Sequence, residues 1–305
     1  MFFRNLNLYR LPRASTMTFG LTAAEAFEGN RLQDVGPLEF SSVGFVSPYG
    51  RDSDILIAKQ PEEGARWFAI GTQTKLLPAA VLNEKLARRL DEIEARDGRR
   101  PGGKTRKRLR DDILHELLPT AMVLAGRIDA MLLPAHNLLV VDSGSRKGAD
   151  AVVSQVRAAL GSFPALPISS EISPRRVLTG WVSGDPLPYG LTLGEACELR
   201  DPIEGGAIVR CRQQDLASDE ITRHLEAGKQ VTRLEMTLAD SLSFVLGEDL
   251  VIRQLRFLDG ALDLLEDVDD QRAELDARFA LQAGEIACLF GVLEEALRLN
   301  KEPQS

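Results

Sequence analysis

The apolar residues change period near Ala79, and that change limits the classes of fold open to this chain. Upstream, LNLYRL, PLEFSSVGFV, SDILIA and RWFAIG are short apolar or alternating runs broken by Gly, Pro, Ser and Asp, so the first 75 residues read as β-rich. From Ala79 to about Arg96, Leu82, Leu86, Leu90 and Ile93 instead fall in one stripe at helical spacing, with Lys85, Arg88, Arg89 and Arg96 along its flank. Gly98, Pro101, Gly102 and Gly103 break that helix. A second runs from about Lys104 to Leu118, where Leu109, Ile113 and Leu117 recur at i, i+4 and Pro119 closes it. The pattern predicts a helical hairpin set into an otherwise mixed chain.

Beyond the hairpin, RIDAMLLPAHNLLVVD predicts two strands about a turn, RKGADAVVSQVRAAL a helix, and ALPI and VLTGWV further strands. GAIVRCRQQ reads as a strand leading into SDEITRHLEAG, where Ser218 caps a short helix, Asp219 and Glu220 occupy its first turn and Gly228 ends it. QVTRLEMTL, SLSFVL and LVIRQLRFL form a predicted antiparallel meander turning at Ala239/Asp240 and Gly247/Glu248/Asp249. A long acidic amphipathic helix follows from about Asp269 to Arg298. The expected fold class is therefore α+β, with antiparallel sheets, packed helices and a protruding basic helical hairpin. The expected organisation is an N-terminal α+β region over 1–160 with the hairpin inserted at about 77–120, and a C-terminal α+β region over 161–305.

The chain has 305 residues, 44% hydrophobic and 27% charged, enough to bury a sizeable core. No run approaches the roughly 18 consecutive apolar residues of a membrane span, and the charges of MFFRNLNLYRLPR come too early for a signal peptide, so a cytoplasmic protein is expected. Cys197, Cys211 and Cys288 are odd in number, lack CxxC spacing and sit in sequences that read as core. His115, His136 and His224 stand apart, without the i, i+4 pairing of a helical metal site. The sequence carries no phosphate loop, nucleophile elbow or kinase-like set. GSRKGAD, residues 144–150, lacks both glycine-loop spacings and reads as a turn and helix start. The carboxylates from Asp263 to Asp270 match no EF-hand spacing and read as a solvated face. Neither catalysis nor a cofactor or metal is expected.

A formal net charge of -8 argues at face value against nucleic acid, because phosphate binding needs Lys and Arg. The charge is segregated, however. Residues 99–110, RRPGGKTRKRLR, carry seven basic residues and no acid, whereas residues 259–276 carry eight acids against Arg272 alone. Lys104, Arg106, Lys107 and Arg108 sit in the opening turn of a helix, where the macrodipole disfavours cations, and such a cluster suits an outside anion. Aromatic stacking residues are missing from the stretch, which favours duplex backbone contact over a single-strand platform.

Several blocks are also recognisable: MFFRNLNLYRL, GFVSPYG, ILHELLPTA, LGSFPALPI and above all RCRQQDLASDEITRHLEAGKQVTRL. In order and spread they resemble the recombination-associated RdgC family over nearly the whole chain. The resemblance implies a homodimer whose horseshoe-shaped subunits close a ring around double-stranded DNA, bind it with little sequence preference and restrain RecA-promoted strand exchange. It also implies a nucleoid-associated protein. Residues carried over are Arg210, Arg212, Gln213 and Gln214 of VRCRQQDL, with Lys229 and Arg233 in the same block. Gln213 is a departure, since relatives can carry lysine there. The hairpin adds Arg88, Arg89, Arg99, Arg100, Lys104, Arg106, Lys107 and Arg110 as candidate DNA contacts. Leu118 and Met122 fall at the implied dimer interface, where an aromatic can stand in place of Met122. Two other readings stay open: a nuclease using magnesium held by Asp and Glu, and an adaptor that binds recombination proteins through the acidic C-terminal helix.

Overall fold

Strand β1 (Leu6–Arg10) is buried at every residue, which shows where the core lies. The computed structural model describes residues 2–60, 64–203, 206–265 and 270–300. After β1 come helix α1 (Arg13–Glu28), strands β2 (Ser41–Val46), β3 (Ile57–Lys59) and β4 (Arg66–Leu76), and helices α2 (Ala79–Asp97) and α3 (Gly103–Leu117). Next are β5 (Met122–Leu133), β6 (Leu138–Asp142), α4 (Arg146–Leu160), β7 (Leu166–Pro167) and α5 (Pro174–Val182). The remainder holds β8 (Leu191–Arg200), β9 (Ile208–Cys211), α6 (Asp219–Glu226), β10 (Gln230–Leu238), β11 (Leu242–Gly247), β12 (Ile252–Phe257), the one-turn α7 (Asp259–Leu262) and α8 (Gln271–Ala296). The fold is α+β with a large antiparallel sheet. Its contacts divide the chain into a unit of Met1–Gly29, Ser47–Ala69 and Ile128–Ser305 and a smaller unit of Asn30–Val46 and Ile70–Arg127.

In the larger unit the strands run β6-β1-β12-β11-β10-β8-β9. The end of β5 (Ala130–Leu133) pairs with β6, and β7 pairs with β1. β1 and β6 are covered on both faces. Leu6, Leu8, Leu138 and Val140 share one core with Leu178 of α5, Ile221 of α6 and Ile286 and Phe290 of α8. Tyr9 points the other way, its hydroxyl donating to Asp150 of α4 at 2.7 Å, and α4 packs on α1. Strands buried on both faces read as continuous apolar runs, as NLLVVD does. β10 instead alternates: Val231, Leu234, Met236 and Leu238 are buried, while Arg233 is exposed and Glu235 and Thr237 are half-buried. One face of β8 to β12 is therefore core and the other meets solvent.

Three elements differ from the sequence expectation. α1 lies within the stretch read as β-rich. Thr16, Phe19, Ala23 and Phe27 form its buried stripe, but Met17 and Leu21 are exposed on the other side among Thr and Ala, so amphipathic contrast is weak. VLTGWV is part of α5 rather than a strand. Pro174 opens that helix, the Ser173 hydroxyl accepts from the Arg176 N–H, and Leu178, Trp181 and Val182 bury one side, which outweighs the strand preference of two valines. β8 was not anticipated. Ser218 stands at the start of α6 as predicted, but its hydroxyl makes no capping bond.

α8 begins at Gln271 with Asp270 as its cap; the expected start at Asp269, with Glu266 and Asp267, lies outside the described residues. Two of its acids meet other elements of the fold and one pairs along the helix. Asp276 accepts from the Tyr49 hydroxyl, Glu274 pairs with Arg278, and Glu294 pairs with Arg10. Buried Gln282 accepts the Phe3 N–H at 2.7 Å. One side of the helix is embedded, while Asp270 and Glu295 remain exposed.

In the smaller unit the strand order is β2-β4-β5. Gly44 of β2 sits where a Cβ would come within 2.4 Å of the Leu32 nitrogen, so this position accepts no side chain without backbone movement. Lys75 is buried, its ammonium donating to the carbonyls of Gly36 and Pro37 at 2.7 and 2.6 Å. α2 and α3 pack through Leu82, Leu86, Leu90 and Ile113, and Gly98 ends α2 in the left-handed region at φ 66°.

Arg10 ties β1 to α8. It is 4% exposed, donates to His136 O at 2.8 Å and Asn300 O at 3.2 Å, pairs with Glu294 and lies over the Phe290 ring. Arg10→Ala leaves Glu294 and two carbonyls without their donor. It should lower unfolding stability by about 3–5 kcal/mol, read as a fall in the urea midpoint.

Candidate nucleic-acid interface

The open face of β8 to β12 carries a concave pocket of about 810 Å³. Its polar lining includes Arg210 and Arg212, Arg233, Arg256, Gln213 and Gln254, with Glu195, Glu198 and Glu235. Strand register explains the assembly. Arg210 of β9 and Arg233 of β10 are both Cα partners of Glu198 on β8, so two cations flank one carboxylate across three strands. Farther across, Glu235 pairs with Val245, and Ser243 of β11 with Arg256 of β12.

Glu198 is 6% exposed and accepts from Arg210 Nε at 2.8 Å and Thr232 Oγ1 at 3.1 Å. Burial pushes its carboxyl upward in pKa. Hydrogen bonds from Arg210 and Thr232, with the charges of Arg233 and Arg210, outweigh that and hold it below the ordinary glutamate value. Glu235 accepts from the Glu195 N–H at 3.1 Å. Arg212, Arg233 and Arg256 are exposed and make no side-chain ion pair or hydrogen bond among the described residues. The pocket therefore presents exposed guanidinium groups beside the buried Glu198 carboxylate, with Glu195 also exposed on its lining.

Two of its glutamines have left-handed backbone, Gln213 at φ 52° and Gln254 at φ 53°. Side chains other than glycine adopt this region at a cost of roughly 1–2 kcal/mol, and such positions concentrate at functional sites. Gln254 falls at the irregularity between β11 and β12, where an extra residue re-aims the side chains. Arg256 and Gln254 were not singled out from the sequence. Only the meander's register brings them beside the VRCRQQ segment. The other two residues of that block stand aside: Gln214 donates to Glu220 at 2.8 Å, and Lys229 lies half-buried after α6.

In the smaller unit, α2, α3 and the turn between them hold eleven basic and eight acidic residues from Ala79 to Leu117. The acids are unevenly placed. Lys85 and Arg89 pair with Glu116, Arg88 with Glu84, Arg96 with Asp97 and Arg100 with Glu94. Arg99, Lys104, Arg106, Lys107, Arg108 and Arg110 are exposed with no ion pair among the described residues. Free positive charge thus concentrates between residues 99 and 110, and Arg88, Arg89 and Arg100 are partly neutralised in place. Leu118 is 1% exposed and unavailable to an outside surface, whereas Met122 is 74% exposed, followed by exposed Val123 and Leu124.

Comparison with known proteins gives a consistent result. The family model described as "Putative exonuclease, RdgC" matches residues 1–300. The chain is 55% identical over 99% of both chains to a recombination-associated protein RdgC of Xanthomonas axonopodis pv. citri. It is 54% identical, with the same coverage, to one of Xanthomonas campestris pv. campestris. A recombination-associated protein RdgC of Stenotrophomonas maltophilia is 52% identical, again over 99% of each chain.

The depressed Glu198 carboxyl has a signed consequence. A group whose folded pKa lies below its unfolded value stabilises the fold above the unfolded value, and that contribution is lost as pH falls through the folded one. Wild type should therefore exceed Glu198→Gln in stability at neutral pH. The gap should close as the pH drops below about 4.3, the unperturbed glutamate value, in urea unfolding repeated across pH.

Proposed function

Because the chain belongs to the RdgC family, whose curated relatives are named recombination-associated proteins, we propose that it binds double-stranded DNA through phosphate contacts without reading sequence. The observation that carries this reading is the trio Arg212, Arg233 and Arg256, exposed around one pocket on an open sheet face and engaged in no side-chain ion pair or hydrogen bond among the described residues, although Glu195, Glu198 and Glu235 share the lining. Guanidinium groups suit phosphate by their planar fork of donors. Arg210, Gln213 and Gln254 complete the set, the amides supplying donors and acceptors to sugar and phosphate. Arg99, Lys104, Arg106, Lys107 and Arg110 form a second contact surface on the smaller unit, with Arg88, Arg89 and Arg100 supporting it. Gln214 and Lys229 belong to the same segment of the larger unit as Arg212 and Gln213 but lie outside the pocket lining.

The working species is a homodimer, a second copy docking on the apolar run Met122, Val123 and Leu124 and closing a ring about the duplex. DNA so occupied is less available to a RecA filament, which is how the protein limits strand exchange and associates with the nucleoid. Binding, rather than cleavage, is its action on DNA. The adaptor alternative is less favoured because Asp276 and Glu294 of α8 are engaged by Tyr49 and Arg10 of other elements, although Glu295 stays exposed.

The test is a titration of linear and covalently closed duplex at several salt concentrations, with mass measured in parallel. Replacing Lys104, Arg106, Lys107 and Arg110 together by Glu should lower affinity by at least an order of magnitude and flatten the salt dependence by up to about 0.9 in log-log slope per lost phosphate contact. Met122→Asp should shift the mass towards the monomer and abolish slow release from closed circles. Cleavage of labelled duplex in magnesium would contradict the reading.

A further inference from the structure

Cys197 of β8 and Cys211 of β9 are direct Cα partners across two antiparallel strands. Both are buried, at 5% and 9% exposure, and both line the arginine pocket. The Asp201 N–H donates to Ala207 O, so by alternation the Cys197 and Cys211 pair occupies a hydrogen-bonded position. Such pairs have Cα atoms about 5.5 Å apart, within the roughly 4.4–6.8 Å that a disulfide spans. β9 ends the sheet order and has β8 as its strand neighbour. Arg210 and Arg212 flank Cys211, and the left-handed Gln213 follows.

We propose that Cys197 and Cys211 are a dithiol site which a small-molecule disulfide such as glutathione disulfide oxidises to a cross-strand disulfide, fixing the edge strand that carries Arg210 and Arg212 and so strengthening duplex binding. The regulatory part rests on the nucleic-acid reading of the same pocket. Cys211, on the edge strand, is the entry thiol. Its thiolate attacks one sulfur of glutathione disulfide, that bond breaks, and one glutathione leaves as its thiolate. Cys197 then gives up its proton and attacks Sγ of Cys211 in the mixed disulfide, expelling the second glutathione. The protein loses two protons and two electrons, and the small disulfide becomes two thiols.

Burial, with the neighbouring Cys211, pushes the Cys197 thiol up to about 12, so Cys197 is a poor first nucleophile. Its intramolecular attack on an adjacent sulfur gains from proximity instead. Cys288 is exposed on α8, apart from this pair of facing strands.

The test uses the full chain with Cys288→Ser, equilibrated in glutathione buffers from reducing to oxidising, alkylated and mapped by peptide mass spectrometry. Duplex affinity of each form is read by anisotropy at fixed salt. A peptide linked through Cys197 and Cys211 is expected, with duplex binding about three- to tenfold tighter in the oxidised form, the scale of ordering cost removed at an interface. The redox effect should vanish in both Cys211→Ser and Cys197→Ala. Free thiols or glutathione adducts alone at the oxidising limit would overturn the site. A disulfide that leaves duplex affinity unchanged would overturn its regulatory role. A disulfide in a protein that binds no duplex in either form would remove the nucleic-acid reading while leaving the bond itself established.

Discussion

A buried carboxylate holds the arginine face together. Glu198 is the register partner of both Arg210 and Arg233, so the sheet brings two guanidinium groups to the two strands that flank β8, one on either side of the carboxylate. The carboxylate lies beneath them and takes one hydrogen bond from Arg210 and another from Thr232. That arrangement keeps Glu198 ionised and leaves outward donors on Arg233, Arg212 and Arg256 unspent. A surface cluster built from solvated ion pairs would have little fixed geometry. Here the Glu198 carboxylate is inside and the arginines are outside, with Glu195 exposed beside them on the lining.

The pocket exists because the sheet is covered unequally. Around β1 and β6, α8 lies on one face and α4 on the other, and the strands are apolar on both sides. Across β8 to β12 the apolar residues alternate with Arg, Glu, Thr and Gln, and the polar set meets solvent. The irregularities in β10 and β12 and the left-handed Gln213 and Gln254 turn that polar face concave. Strained backbone of this kind concentrates at functional sites.

Much of this was legible in the chain itself. Leucines at helical spacing and the break at Gly98 marked α2 and α3, and the meander β10 to β12 followed from its alternation and turn residues. The VRCRQQ block was recognisable by resemblance, and the structure places Arg210, Arg212, Gln213 and Arg233 together. Other features depend on tertiary context. α1 hides its stripe among Thr and Ala, and α5 starts from a Ser-Pro signal within residues that favour strands. Arg256, Gln254 and Glu198 come from three segments, and only strand register joins them. Segment charge located the free cations of residues 99–110, but it could not show the local acids of Arg88, Arg89 and Arg100 or the tertiary partners of Asp276 and Glu294 in α8.

The most direct measurement is the salt dependence of duplex affinity for wild type and for the Arg212, Arg233 and Arg256 triple substitution to Gln. If these side chains contact phosphates, the log-log slope should become shallower by up to about 2.7, or roughly 0.9 for each lost contact, equally for duplexes of unrelated sequence. An unchanged slope with the fold intact would contradict the account and place DNA elsewhere on the molecule.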